Sequence, residues 1–304
     1  MLRANQAVRV GLRAASRNPE LAFARALLDQ GGNLIAVLPF VLAGILLGNQ
    51  PLTAALRAVG AVSWTVVGGV AAAGAIAFVA GMLFWAGALP LLAADSEMDR
   101  RPPPGNFALL ASRGFARVLG AGAIAYGLAI AFTLASTAAL FGAIPLAIVT
   151  KRPSVLAGAA LVATAAIAGS VVIDLLGRLL LVRTAAFGDG IAAGFGKAAS
   201  LLGARLGACL VVTLAFLFLE LIAATAMGMM TGVLSSRTGL DLDAEFLALA
   251  PRVAAGLAFA AVFAWLEVGR MGALAALAAD AEGLIETPAV AEAVVEALPV
   301  PDDQ

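Results

Sequence analysis

Five ionisable side chains interrupt the long apolar runs of this sequence. Asp174 and Arg178 are four residues apart in one run. Glu267 and Arg270 are three apart in another, and Glu220 has no charged neighbour within a helical turn. A charge at the centre of a bilayer costs about 2.5–3.5 kcal/mol on insertion scales, so these residues are functional candidates by default. At helical spacing, each acid–base set lies on one face and can form an ion pair.

Two interpretations of this candidate polar intramembrane cluster follow from the residues. In the first, Glu220, Asp174 and Glu267 line a cavity that binds a proton, a cation or a lipid head group. In the second, the charges neutralise one another and hold the helices together. We interpret the two local pairs, which contain Arg178 and Arg270, as structural, and Glu220 as the better candidate for a binding role.

Other chemistry has little support in the sequence. There is no histidine and there is one cysteine, Cys209, inside an apolar run. Histidine-based metal sites, histidine general bases and disulfide frameworks are therefore excluded. Four glycines between 188 and 196 match neither the dinucleotide-binding nor the phosphate-loop spacing. We predict no catalytic, cofactor-binding or metal-binding residues and no enzymatic activity.

The composition identifies the elements that carry these charges. Of the 304 residues 62% are apolar and 12% charged, and the mean hydropathy is +1.01. Soluble domains are about 45–50% apolar and about 25% charged, so this is an integral membrane protein. The same composition excludes a disordered chain and a nucleic-acid binder, and the net charge of zero indicates nothing about partners. Apolar runs long enough to cross a bilayer predict an all-α polytopic bundle of six transmembrane helices, at 33–49, 58–94, 118–150, 154–182, 206–234 and 253–279.

Lysine and arginine are distributed unevenly over the loops between these spans. Of the 19 basic residues, fourteen fall on the side that contains both chain ends. The positive-inside rule therefore predicts that both termini are cytoplasmic. Residues 1–30 are predicted to form cytoplasmic interfacial helices, 31–282 the transmembrane domain and 283–304 a mobile acidic cytoplasmic tail.

The sequence also indicates an internal repeat. Residues 87–97 (GALPLLAADSE) align without a gap with residues 272–282 (GALAALAADAE), and residues 179–190 end similarly. We predict three units of about 90 residues, each an interfacial amphipathic helix followed by a transmembrane hairpin. Their approximate bounds are 1–100, 101–190 and 191–282.

One segment resembles a known family. Residues 187–207 (FGDGIAAGFGKAASLLGARLG) resemble the segment that joins the hairpins in six-helix bacterial membrane proteins, namely the membrane domain of some glycerophosphodiester phosphodiesterases. Asp189, Gly190 and Ser200 fill the positions of the family's acid–glycine pair and its serine, but Ala198 and Ala199 stand where a basic residue is common. The resemblance covers about 20 residues and the topology. It implies the bacterial cytoplasmic membrane, and it does not extend to the soluble hydrolase domain.

Three functions from different classes are compatible with these features, and an intramembrane enzyme has the least support, since the sequence offers no histidine, no metal-ligand cluster and no serine or cysteine beside a base. The first is a non-catalytic membrane protein that organises the membrane or associates with lipid. The alternative is a transporter or permease subunit whose intramembrane carboxylates bind a proton, a cation or a head group, since repeats with a polar midplane occur in transporters. The expected partners are membrane lipids, together with a second copy of the chain or another membrane protein, and not nucleic acid.

Overall fold

A computed structural model describes most of the chain. The described residues are 2–47, 52–98, 106–150, 152–236 and 242–285. Within the helices, the description of side chains leaves out 35–47, 52–66, 96–98, 144, 146–147, 231–236 and 242–252. The predicted tail falls almost entirely in residues 286–304, outside the described part.

Every long element of the described residues is an α-helix, which confirms the all-α prediction. The described residues form seven helices: a short one, α1, followed by six long ones. They are α1 (Ala4–Arg17), α2 (Pro19–Leu47), α3 (Leu52–Met98), α4 (Phe107–Thr150), α5 (Pro153–Ala186), α6 (Ile191–Ser236) and α7 (Leu242–Ala281).

Among the described residues, five stretches are long and apolar enough to cross a membrane. They are Val67–Asp95, Phe107–Thr150, Pro153–Ala186, Ile191–Met230 and Val253–Ala281. The first predicted span, 33–49, is not among these five; it falls largely in the second half of α2, where most side chains lie outside the described part. A count of six spans therefore stays a prediction.

Several helices are longer than a bilayer is thick. The 44 residues of α4 extend about 66 Å at 1.5 Å per residue, against a hydrocarbon core of about 30 Å. Part of such a helix must lie among the head groups or in water. The sequence shows the same division, because α4 begins with a segment containing Arg113 and Arg117 before its charge-free stretch.

The described residues form two compact units. The first contains residues from Met1–Ala14, Trp85–Ala215 and Gly269–Gln304, and the second contains residues from Ala15–Phe84 and Phe216–Val268. Most of the fully buried large side chains of the first unit come from the ends of α3, α5 and α7. Examples are Leu89, Leu179 and Leu274, which all fall in or next to the three segments of the predicted repeat. The threefold repeat itself stays a prediction.

Helix α1 packs tightly against the last part of α7. Ala7, Gly11 and Ala14 lie on its buried face, while Arg9 and Arg13 are exposed on the other. A Cβ atom on Gly11 would lie 2.7 Å from the Cβ of Ala273 and closer still to the carbonyl oxygen of Gly269. The two backbones therefore touch, and the apolar face of α1 is covered by protein.

Local backbone geometry sets where the helices end. α5 ends before Gly188 (φ +69°), where the N–H of Asp189 donates to the carbonyl of Arg183. α7 ends at Ala281, before Gly283 (φ +73°), and the N–H of Leu284 donates to the carbonyl of Ala279, as in a Schellman motif. α6 kinks at Arg205 (φ −132°, ψ 34°), which separates residues 191–204 from the longer apolar part of the helix.

Candidate functional site

The five residues of the predicted polar cluster divide between the two units. Asp174, Arg178 and Arg270 belong to the first unit, and Glu220 and Glu267 belong to the second. On α7 Arg270 is buried, and on α6 Glu220 is half-buried.

Asp174 and Arg178 form the ion pair that their spacing predicts. The Nε atom of Arg178 lies 2.7 Å from Oδ2 of Asp174. The same guanidinium donates a weak hydrogen bond through Nη1 to the sulfur of Met271, at 3.8 Å. The side chain of Asp174 remains 46% exposed, so this pair lies at the periphery of its unit.

Glu267 pairs with a residue that sequence reasoning did not select. Its Oε2 atom lies 2.9 Å from Nε of Arg25, whose Nη2 atom lies 3.1 Å from Oδ1 of Asp29. The sequence places Arg25 on an early helix among the residues counted for topology, and 242 residues separate it from Glu267. No local spacing rule connects two residues so far apart in the chain.

The same arginine lines a small pocket in the second unit, which has polar side chains on one wall and apolar ones on the other. The pocket has a volume of about 280 Å³, and Arg25, Asp29 and Asn33 of α2 face Val70 and Ala77 of α3 across it. Burial raises the pKa of Asp29, the positive charge of Arg25 opposes that shift, and the negative charge of Glu267 adds to it. The carboxyl group of Asp29 therefore resists ionisation more than a free aspartate does.

The first unit contains a second charged cluster, at the place where α5 and α7 end and α6 begins. Arg183 Nη1 lies 2.5 Å from Glu282 Oε1, and Lys197 Nζ lies 2.8 Å from Asp189 Oδ1. The side chains form a connected network, since Lys197 also lies 3.9 Å from Glu282 and Arg183 lies 3.9 Å from Asp189. We call these four residues the helix-end network.

Next to this network, Asp280 joins three parts of the first unit. Its Oδ2 atom accepts hydrogen bonds from Arg205, at the kink of α6, and from the backbone N–H of Leu2, the latter at 2.8 Å. The side chain of Asp280 is 4% exposed, and that of Arg205 is 16% exposed. A carboxylate this deeply buried is stable only when it is paired, so Asp280 ties the start of the chain and the kink to the end of α7.

Arg183 is the most deeply buried cation of the network. Its side chain is 4% exposed and its guanidinium carbon lies 5.1 Å from the centre of the Phe187 ring. Its Nε atom is buried without a hydrogen-bond partner among the described residues. The position follows from the helix end, because Gly188 turns the chain and brings Phe187 back beside the last turn of α5.

A pocket of about 450 Å³ opens beside the helix-end network. The residues that line it come from the ends of α5 and α7 and from one face of α6. They are Arg183, Gly196, Lys197, Ser200, Leu201, Ala204, Arg205, Ala281 and Glu282. We call it the helix-end pocket. Its charged lining consists of three cations and one carboxylate.

The sequence contains a partial signal for this site that the analysis of intramembrane charges missed. Asp189, Lys197, Arg205 and Asp280 all stand at the borders of apolar runs, where basic residues are ordinarily interpreted only as topology signals. The available cue to the site is that acidic and basic residues alternate along the sequence near the two glycines that end helices. Comparison of the chain with family models, with curated proteins and with solved structures finds no match.

Proposed function

We propose that this chain is a non-catalytic protein of the bacterial cytoplasmic membrane that associates with lipid and organises its surroundings. Both termini are assigned to the cytoplasm, since most basic residues fall on that side of the predicted spans. The proposal includes six spans, the threefold repeat and kinship with the membrane domain of glycerophosphodiester phosphodiesterases.

The observation that carries the proposal is the pairing of charges on apolar helices. Asp174 is neutralised by Arg178, Glu267 by Arg25 and Asp280 by Arg205. A carboxylate that transfers a proton or an ion has to exchange its partner during the cycle. Carboxylates that are each held by an arginine instead fix the packing of helices.

A transporter or permease subunit remains the alternative, and one observation favours it. The pocket in the second unit is lined by Arg25, Asp29 and Asn33, and burial favours the protonated form of Asp29. A carboxyl group whose pKa is raised in a polar pocket is a common feature of proton-coupled sites. Glu220 belongs to the same unit.

A flux measurement distinguishes the two functions. The full chain is reconstituted into vesicles of phosphatidylethanolamine and phosphatidylglycerol that contain a pH-sensitive dye, and a pH gradient is imposed. We expect the gradient to decay as it does in protein-free vesicles, and the purified protein to retain phospholipid through size-exclusion chromatography. Decay that is faster with protein and is abolished by Glu220→Gln or Asp29→Asn would establish the alternative. Arg9→Gln, on the exposed face of α1, is the matched control.

A further inference from the structure

The lining of the helix-end pocket favours an anion. Arg183, Lys197 and Arg205 contribute three positive charges, against the single carboxylate of Glu282. The other two acids of this region, Asp189 and Asp280, do not line the pocket. Each of these two acids pairs with one lining cation, Asp189 with Lys197 and Asp280 with Arg205, so an anion in the pocket shares those two cations with them.

One face of α6 supplies most of the polar wall. Lys197, Leu201 and Arg205 follow each other at intervals of four residues, and Gly196, Ser200 and Ala204 form the adjacent row at the same interval. Residues four apart lie above one another on a helix, so the two basic groups and the hydroxyl of Ser200 face the same space. The glycine and the alanine leave room between them.

The opposite wall contributes a guanidinium with one unused donor. Arg183 is 4% exposed, donates from Nη1 to Glu282, and leaves Nε without a hydrogen-bond partner among the described residues. Arginine presents five N–H donors in a planar fork that fits the oxygens of a phosphate. The group that now occupies this fork, the carboxylate of Glu282, is itself 37% exposed and can be displaced by rotation of its side chain.

The sequence around the pocket changes from charged to apolar, as is expected where a lipid head group binds. The pocket lies where α5 and α7 end and the apolar part of α6 begins, at the border between charged and apolar sequence. Phe195 and Leu206, which flank the lining residues of α6, are 37% and 42% exposed, so they are available to acyl chains. Basic pockets between membrane helices on the cytoplasmic side bind the head groups of anionic lipids.

We propose that the helix-end pocket binds the phosphate group of an anionic phospholipid through Arg183, Lys197 and Arg205, and that the carboxylate of Glu282 competes for the same cations. This inference rests on the proposed lipid association and names the chemistry of one lipid site. The shared chemistry is a phosphate oxyanion, which a lipid head group or free inorganic phosphate supplies.

The test is native mass spectrometry of the full chain in a non-ionic detergent. Three probes are titrated separately: dioctanoyl phosphatidylglycerol, dioctanoyl phosphatidylcholine and inorganic phosphate. The variants are Lys197→Gln, whose side chain is 46% exposed and therefore not needed for packing, Glu282→Gln, and the control Arg9→Gln. Unchanged circular dichroism verifies that each variant is folded.

We expect phosphatidylglycerol to bind in preference to phosphatidylcholine. Lys197→Gln should lower the affinity for phosphatidylglycerol about fivefold, since a basic residue near the membrane surface contributes about a factor of this size to binding. Glu282→Gln should raise the affinity for phosphatidylglycerol, and Arg9→Gln should leave that affinity unchanged. The gain on removing an ion-pairing residue is decisive, because a purely structural salt bridge predicts no gain.

The remaining outcomes separate the possible failures. If inorganic phosphate binds and the two lipids do not, and if this binding depends on Lys197 and Glu282 in the same way, the pocket is a phosphate site and its assignment to lipid is overturned. Equal binding of the two lipids, or no response to Lys197→Gln and Glu282→Gln, would overturn the inference. If unselective phospholipid is still retained in that case, the proposed function stands. If no phospholipid is retained at all, the proposed function fails with the inference.

Discussion

Replacement of Gly11 by alanine should loosen the N-terminal helix from the rest of the first unit. A Cβ atom at this position would lie 2.7 Å from Cβ and 2.8 Å from the backbone nitrogen of Ala273, and closer to the carbonyl oxygen of Gly269. Non-bonded carbon atoms favour separations of about 3.5–4.0 Å. The contact is with backbone and with a side chain that has no rotamers, so α1 must move away by about 1 Å.

The expected magnitude follows from two opposing effects. Overpacking a close contact costs about 1–3 kcal/mol. Alanine in a helix is favoured over glycine by roughly 0.5–1 kcal/mol, which offsets part of that cost. We expect Gly11→Ala to destabilise the packing of α1 by about 1–2 kcal/mol. Gly31→Ala in α2 is the matched control, because nothing lies within 4 Å of a Cβ atom there, and it should be neutral or stabilising.

Limited trypsin digestion measures this packing directly. Arg9 and Arg13 are exposed on α1, but trypsin needs an unfolded segment, so cleavage reports how often α1 leaves its place. A loss of 1–2 kcal/mol raises the cleavage rate about 5- to 30-fold. If Gly11→Ala is cleaved no faster than the wild type while Gly31→Ala behaves as expected, the close backbone contact between α1 and α7 is wrong.

Three further predictions concern single side chains. Asp280→Asn should destabilise the first unit by about 3 kcal/mol in thermal unfolding, because it removes a buried carboxylate and leaves Arg205, which is 16% exposed, without its counter-charge. A loss below about 1 kcal/mol, typical of exposed pairs, would contradict the burial of Asp280. The pKa of Asp29 is raised by burial, so its ionisation opposes folding and the wild type loses stability from about pH 4 upwards. The melting temperature of Asp29→Asn should therefore rise relative to that of the wild type between pH 4 and pH 7. If the difference in melting temperature between variant and wild type is the same at both pH values, the pKa of Asp29 is not raised. Gly188→Ala should lower the free energy of unfolding by about 1 kcal/mol in chemical denaturation, since glycine adopts φ +69° without strain and alanine does not. Gly203→Ala, in open space within α6, should leave the free energy of unfolding unchanged in the same assay.

Hydropathy was sufficient to predict the class of this protein and the course of most helices. The predicted spans 118–150, 154–182, 206–234 and 253–279 each lie within a long helix of the structure. This part succeeds because the need to satisfy every backbone hydrogen bond in lipid leaves the helix as the structure for an apolar run. The ion pair between Asp174 and Arg178 was also predictable, since it depends on the geometry of one helix.

The long-range contacts were decided only by the tertiary structure. The pairing of Glu267 with Arg25 and of Asp280 with Arg205 and Leu2 joins residues that are distant in the sequence. The helix-end pocket likewise requires that the ends of α5 and α7 meet one face of α6. A charged residue at the border of an apolar run has the same local pattern whether it meets water, lipid or a counter-charge. Which of these it meets depends on how the helices pack, and the periodicity of a single helix contains no information about its neighbours.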